Sequence, residues 1–293
     1  MTPPIVNAPN TALVFEGGGM RAAYTSAVVA TLVNEGVVFP HVSGISAGSS
    51  NTANYVSRDP DRARASFVDF AANPDFGSVW TWIQGKGYFN SQYIYEEAYK
   101  HSLPFNWDEF ISNPAAVRMG AFDCEAGVTR YFGKEDIPDI ARLMKVVRAS
   151  SSLPLLMPQV EIDGTKYCDG ALGSAGGIPL DAAQADGYER FFVVLSQPRS
   201  FVKPPYKPEA PYRWFYRKQP AVAEGIMSRP KNYNRVREEL FDLEAQGKAY
   251  LFFPDQMSVN SRTRDLTKLR QSYAAGYAQS HKELPRWREF LGL

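Results

Sequence analysis

Short apolar runs closed by glycine or serine alternate with stretches of helical periodicity over the first two-thirds of the chain. The pattern predicts a strand at 12–16, a helix at 20–35, a strand at 40–45 and helices at 47–57 and around 59–72. An aromatic-rich loop with Trp80, Trp82, Tyr88 and Phe89 follows, then a helix from Ser91 to His101 and strands at 115–122 and 127–132. Residues 136–149 read as a helix stopped by Ser150-Ser151-Ser152-Leu153-Pro154. A strand pair at 158–162 and 165–168, a short helix at 179–186 and a strand at 190–195 complete the series. Strands and helices in alternation build a largely parallel sheet covered on both faces.

The pattern changes after residue 197. Residues 198–220 hold Pro198, Pro204, Pro205, Pro208, Pro211 and Pro220 among Tyr206, Tyr212, Trp214, Phe215 and Tyr216, too proline-rich for a regular element. Helices at 232–246 and 264–281 and a strand at 249–253 come after it. The expected organisation is therefore a core at 1–197, a connector at 198–220 and an extension at 221–293, whose strand could extend the main sheet. A net charge of +1 gives no reason to expect nucleic acid as a partner. No apolar run approaches the ~18 residues of a membrane span, and the opening residues lack a basic stretch leading into an apolar one. Cys124 and Cys168 are too few for a disulfide framework or a zinc site. These features predict a cytoplasmic protein without metal or cofactor.

Chemistry concentrates in two glycine-framed motifs. Gly17-Gly18-Gly19-Met20-Arg21 follows the first strand and opens a helix, where free backbone N–H groups can hold negative charge. Gly44-Ile45-Ser46-Ala47-Gly48 follows the next strand and reads as a nucleophile elbow, with Gly44 and Gly48 clearing space around Ser46. A dinucleotide fingerprint also fits Gly17, Gly19 and Ala22, but the acid it needs about 20 residues on is missing from Val42-Ser43-Gly44-Ile45. Nucleophile and oxyanion cradle together point to acyl transfer.

A serine nucleophile needs a base. His41 lies too close to Ser46 in sequence to fold back on it easily, His101 ends a polar helix and His281 sits in a surface-like segment. A Ser46–acid–His281 triad remains an alternative. The better candidate is Asp169, at the end of a strand in Tyr167-Cys168-Asp169-Gly170-Ala171, where burial would raise its basicity.

These three motifs, in this order over residues 11–195, resemble the patatin-like phospholipases, and Ala149-Ser150-Ser151-Ser152-Leu153-Pro154 is similar to the stretch that precedes the aspartate motif in that family. The resemblance implies a three-layer α/β/α sandwich with a mainly parallel sheet and a C-terminal α/β extension. It implies a Ser46–Asp169 dyad acting without histidine or metal on lipid acyl esters or phospholipids. The oxyanion hole would come from the loop Gly17, Gly18, Gly19, Met20 and Arg21, chiefly the amides around Gly18 and Gly19, with Arg21 fixing the loop. A non-catalytic acyl-lipid binder keeping the fold is the reading from another class. Trp80, Trp82, Trp214 and Phe215, with Arg213, Arg217, Lys218 and the later Arg262, Arg264 and Lys268, are candidates for peripheral contact with a membrane.

Overall fold

The computed structural model describes residues 6–293; Met1–Ile5, on which part of the no-leader expectation rests, lie outside them. Its strands in chain order are β1 (Val6–Asn7), β2 (Thr11–Phe15), β3 (Val37–Val38), β4 (His41–Ile45) and β5 (Ala116–Asp123), then β6 (Thr129–Phe132), β7 (Val160–Ile162), β8 (Thr165–Asp169), β9 (Arg190–Val194) and β10 (Ala249–Phe252). β1 and β3 pair separately, and the others form an eight-stranded sheet in the order β10-β9-β2-β4-β5-β8-β7, with β6 also on β5. From β10 to β5 the strands are parallel; β6, β7 and β8 join antiparallel.

The central strands are buried on both faces, which is why they read as apolar runs rather than alternating ones. Their period of two sends side chains to two cores. Leu13, Phe15, Phe192 and Val194 enter one core with residues of helices Ala22–Asn34, Ile140–Ser151 and Leu266–Leu291. Ala12, Val14, Phe191 and Val193 enter the other with residues of helices Leu180–Ala185 and Pro220–Ala245. The result is a three-layer α/β/α sandwich whose edge strand, β10, comes from the C-terminal segment. Cys124 and Cys168 are free, buried side chains packed with Phe122, Leu172 and Tyr216.

Several expected elements differ. The helix expected at 232–246 begins at Pro220 and runs through Pro230, and the helix expected at 264–281 continues through Pro285 to Leu291. Burial of Tyr233, Val236 and Leu240, and of Trp287, outweighs the backbone bond that each proline removes. The proline-rich connector contains the helix Ala210–Phe215, with Pro211 in its first turn, where the missing N–H costs little. Within the aromatic-rich loop, Ser78 and Thr81 cap a helix at Val79–Ile83. The helix expected from Ser91 to His101 is instead a π turn, Tyr93–Glu97, followed by a 3₁₀ turn, Ala98–Lys100. The region 59–72 divides into the helix Pro60–Phe67 and a 3₁₀ turn, Asp69–Ala72. An unforeseen helix, Trp107–Ser112, is capped by Asn106.

Candidate active site

Strand β5 brings Ser46 and Asp169 together. Along one of its edges β4 pairs up to Ile45 opposite Gly120, and β8 takes over with Asp169 opposite Ala121. The two strands run in opposite directions, so their ends meet head-on. The residue that follows Ile45 is Ser46. Gly120 and Gly170 permit the junction: a Cβ on Gly120 would meet Ile45 and Tyr131 at 2.8 Å, and one on Gly170 would run into the Gly120 carbonyl.

Ser46 sits between β4 and the helix Ala47–Val56 with φ 58° and ψ −128°, a conformation that costs a non-glycine residue about 1–3 kcal/mol. The neighbouring glycines make the turn possible, since a Cβ on Gly44 would strike the Gly48 carbonyl and one on Gly48 the Phe15 carbonyl. Ser150 pins the elbow: its Oγ accepts the Ser46 N–H at 2.9 Å and donates to the Gly120 carbonyl at 2.6 Å. Two residues on, the Ser152 carbonyl accepts the Asp169 N–H at 2.9 Å. One helix end thus holds both residues.

Asp169 is fully buried. Its Oδ1 accepts the Ala171 N–H at 2.9 Å, while Oδ2 has no hydrogen-bond partner among the described residues. Burial raises its pKa above the ordinary carboxylate value; the charge of Arg229, the Ala171 N–H, the Ser46 side chain and the charge of Lys203 pull it back down. Ser46 is thus near enough to act on the carboxyl, although no bond of full hydrogen-bond geometry joins them. Such contacts often close only around a substrate.

The glycine loop crosses the end of β2 beside this junction. Gly17 N–H donates to the Gly177 carbonyl, Met20 N–H to Ser261 and Arg21 N–H to Gly18. The Gly18 and Gly19 N–H groups have no acceptor among the described residues. Gly19 has φ +55°, and a Cβ there would meet the Ser261 carbonyl at 2.5 Å. Arg21 Nε donates to Ser196 Oγ at 3.4 Å, which in turn donates to the Gly17 carbonyl at 2.9 Å. Buried Glu16 accepts the Ser196 N–H at 2.6 Å and the Tyr233 hydroxyl at 3.0 Å. The helix Pro220–Ala245 therefore braces the loop.

An apolar pocket opens beside Ser46 and Gly19, walled by Phe67, Phe70, Phe76, Phe89, Ile94, Leu103, Met144, Val147, Leu153 and Met157, with Tyr95 and Arg62 also reaching it. Burial lowers the Arg62 pKa to about 10, and its head is held by Asn54 and the Pro104 carbonyl. No group of three or more His, Cys, Asp or Glu side chains suited to a metal exists among the described residues.

A family model described as patatin-like phospholipase matches residues 13–183, more than half of the chain and all three motifs. The chain belongs to the patatin-like phospholipase family. A second family model, a domain of unknown function (DUF6363), matches residues 219–292 of this patatin-like protein. The uncharacterized protein YjjU of Escherichia coli (strain K12) is 25% identical over 211 residues, or 70% of this chain and 55% of that protein. The chain thus spans about half the length of the curated relative it matches. The crystal structure of VipD from Legionella pneumophila is similar with a TM-score of 0.49 and 12% identity, over 94% of this chain and 67% of that one.

The three histidines of the patatin-like chain lie elsewhere. His41 starts β4, at the opposite end from Ser46, and pairs with Asp186. His281 is exposed on the helix Leu266–Leu291, its ring against Tyr277, and His101 is exposed after the turn Ala98–Lys100. Arg264, grouped in the sequence with membrane-facing cations, instead donates to the Gly77 carbonyl and lies over the Phe76 ring. Sequence reasoning missed Ser150, Arg229 and the Ser261 carbonyl. Ser150 carried a signal, since it lies in the serine-rich stretch, but serines at a helix end read first as a stop.

Proposed function

We propose that this protein hydrolyses lipid acyl esters through an acyl-enzyme on Ser46. Asp169 accepts the Ser46 proton as Oγ attacks the ester carbonyl, and the oxyanion is held by the Gly18 and Gly19 N–H groups. Collapse of the adduct returns the proton to the departing alcohol and leaves acyl-Ser46. Asp169 then takes a proton from water, the hydroxide adds to the acyl carbon, and collapse releases the fatty acid with the proton restored to Ser46. Gly17, Met20 and Arg21 act by shaping the loop, because their own N–H groups already have acceptors. The apolar pocket receives the acyl chain.

One observation carries the reading: a strained serine and a buried carboxyl meet at one point of β5, beside two loop amides, and neither the carboxyl's Oδ2 nor those amides have a partner among the described residues. Residues 1–197 form the catalytic core in this proposal, 198–220 the connector and 221–293 the extension that braces it. Exposed Trp80, Trp82, Ile83, Trp214 and Phe215 suit peripheral contact of a cytoplasmic protein with a bilayer. Among the described residues no helix is long and apolar enough to cross a membrane. A fluorophosphonate probe should label the wild type at Ser46 and leave Ser46→Ala unlabelled. Absence of labelling, with acyl lipids still bound, would support the non-catalytic binder instead.

A further inference from the structure

The pocket beside Ser46 is mostly apolar, but Ser50, Ser151 and Tyr95 give one stretch of its wall three hydroxyls. Ser50 stands one turn beyond Ser46 in the helix Ala47–Val56, on the same face. Ser151 lies between Ser150 and Ser152, the residues that hold Ser46 and Asp169. Tyr95 is the middle residue of the π turn Tyr93–Glu97, which Arg148 ties to the same helix end through Glu96 at 2.6 Å.

The neighbouring hydroxyls of both helices are satisfied by backbone carbonyls. Ser49 donates to Ser46 at 2.6 Å, Thr52 to Gly48 at 3.0 Å, Ser150 to Gly120 at 2.6 Å and Ser152 to Arg148 at 2.8 Å. Ser50 Oγ and Ser151 Oγ are different: both are buried, and neither has a partner among the described residues. Burial raises the Tyr95 pKa, the Ser151 and Ser50 hydroxyls pull it back, and the Asp169 charge raises it again. The phenol therefore lies close to these groups and stays protonated at neutral pH, as a donor. A plain methylene chain drawn across the three hydroxyls cuts them off from water and leaves them unpaired. A chain that carries its own hydroxyl at that point pairs them.

We propose that Ser50, Ser151 and Tyr95 form a recognition site for a hydroxyl group on the acyl chain, and that the preferred substrates are esters of β-hydroxy acids. The inference rests on the acyl-hydrolase reading and names the acyl group. One helical turn, about 5.4 Å, separates Ser50 from Ser46, so the substituent in reach is one close to the ester carbonyl, as in a β-hydroxyacyl group. An alcohol both donates and accepts, which suits a phenol donor beside two serines that can do either. A site built to bond a substrate hydroxyl discriminates against the analogue that lacks it, because its own buried polar groups are then left unpaired.

The test compares kcat/KM on the p-nitrophenyl esters of β-hydroxydecanoic and decanoic acid, each divided by its rate of alkaline hydrolysis. The wild type should favour the hydroxy ester. Tyr95→Phe should lower that preference about fivefold, and Ser50→Ala and Ser151→Ala about threefold each, the scale of one neutral hydrogen bond. Each deleted serine hydroxyl has no bond to lose, so these variants should fold. A wild type without the preference overturns the site. So does equal loss on both esters, the result expected if the hydroxyls order the hydrolytic water. A second measurement does not depend on turnover. Calorimetric titration of Ser46→Ala should show β-hydroxydecanoate binding about fivefold more tightly than decanoate, and adding Tyr95→Phe should close the gap. If Ser46 proves unreactive to the fluorophosphonate but this gap stands, the hydrolase reading fails and the hydroxyl site survives. If Ser46 reacts and the gap is missing, the hydroxyl site fails alone.

Discussion

The two ends of β4 each hold a polar group beside an aspartate, and they are built in opposite ways. At the first end, buried His41 donates from Nδ1 to Asp186 at 3.1 Å, Asp186 also pairs with Arg118, and Arg118 reaches Glu135. Among the described residues, His41 Nε2 is a buried atom without a partner there. At the other end Ser46 is strained, and among the described residues Asp169 Oδ2 and the Gly18 and Gly19 amides have no partner. His41 is as buried as Asp169, although its partners Asp186, Arg118 and Glu135 are partly or largely exposed, so burial of the central group does not separate structure from chemistry. Satisfaction does: a closed network rigidifies, whereas an open one keeps donors and acceptors available for a reacting ester.

The largest effects should come from closing the open end. Ser46→Ala and Asp169→Asn should each reduce ester turnover by about 10⁴-fold or more, the range seen when one member of a catalytic unit is removed. Circular dichroism should show both variants folded. Because burial raises the Asp169 pKa, its ionised form is disfavoured by folding, and the sign follows. The contribution of this group to stability falls as pH rises past the ordinary carboxylate range. Asp169→Asn should therefore melt no lower than the wild type at pH 7. The same raised pKa should place the acid limb of the wild-type kcat/KM profile above that range, since the base must be ionised. A variant that retained near-normal turnover with asparagine at 169 would sink the dyad.

The glycine loop comes next. Gly19→Ala forces a side chain at φ +55° against the Ser261 carbonyl, so the loop must shift and its amides lose their aim. Loss of one such donor costs about 10²–10³ in kcat. Gly247→Ala is the control: its φ is +70°, but nothing lies within 4 Å of the added Cβ. It should cost only about 1 kcal/mol in urea unfolding and leave kcat close to wild type. Equal kinetic effects from the two would mean that Gly19 matters only as a residue with positive φ.

What was legible in the sequence follows from the same distinction. Local backbone demands leave local marks, so Gly44, Gly48 and the run at Gly17–Gly19 announce tight approaches that the structure contains, and the alternating strands announce the sheet. Long-range satisfaction leaves none. Nothing near residue 46 says that Ser150, 104 positions later, accepts its N–H, or that Arg229 acts on Asp169. Pro230 and Pro285 misdirected the helix boundaries because a proline's local cost is plain in sequence and the burial of Tyr233 or Trp287 is not. The antiparallel entry of β8, which brings Asp169 to the elbow, depends on register against β5 and on no motif at all.

Ser150→Ala should have an intermediate effect. It leaves the Ser46 N–H and the Gly120 carbonyl unpaired in a buried junction, which costs about 1–3 kcal/mol in stability, and it frees the elbow to drift. We expect kcat to fall about tenfold with KM little changed, as for a residue that positions the nucleophile without touching substrate. Ser150→Thr, which keeps the hydroxyl, should recover part of the loss. A drop in stability with no change in kcat would reassign Ser150 to packing alone.

The smallest effect on catalysis should come from the closed end. His41 lies five positions from Ser46 along β4, about 16 Å at the ~3.3 Å rise of a strand, so His41→Gln should leave kcat within about threefold of wild type. Its effect belongs to stability and to pH. Burial lowers the His41 pKa to about 4; Asp186 opposes this and Arg118 adds to it, while the Tyr188 ring packs against the imidazole. The folded value lies below the unfolded value of 6.5, so the unfolded chain binds the extra proton first and stability falls as pH drops through that window. The loss should be on the order of 2–3 kcal/mol between pH 6.5 and 4, read as a declining urea midpoint in the wild type. His41→Gln should start lower at pH 7 and decline less steeply. If the two slopes matched, the imidazole would already be charged in the folded protein, and the first end of β4 would be an ion pair rather than a neutral, closed network.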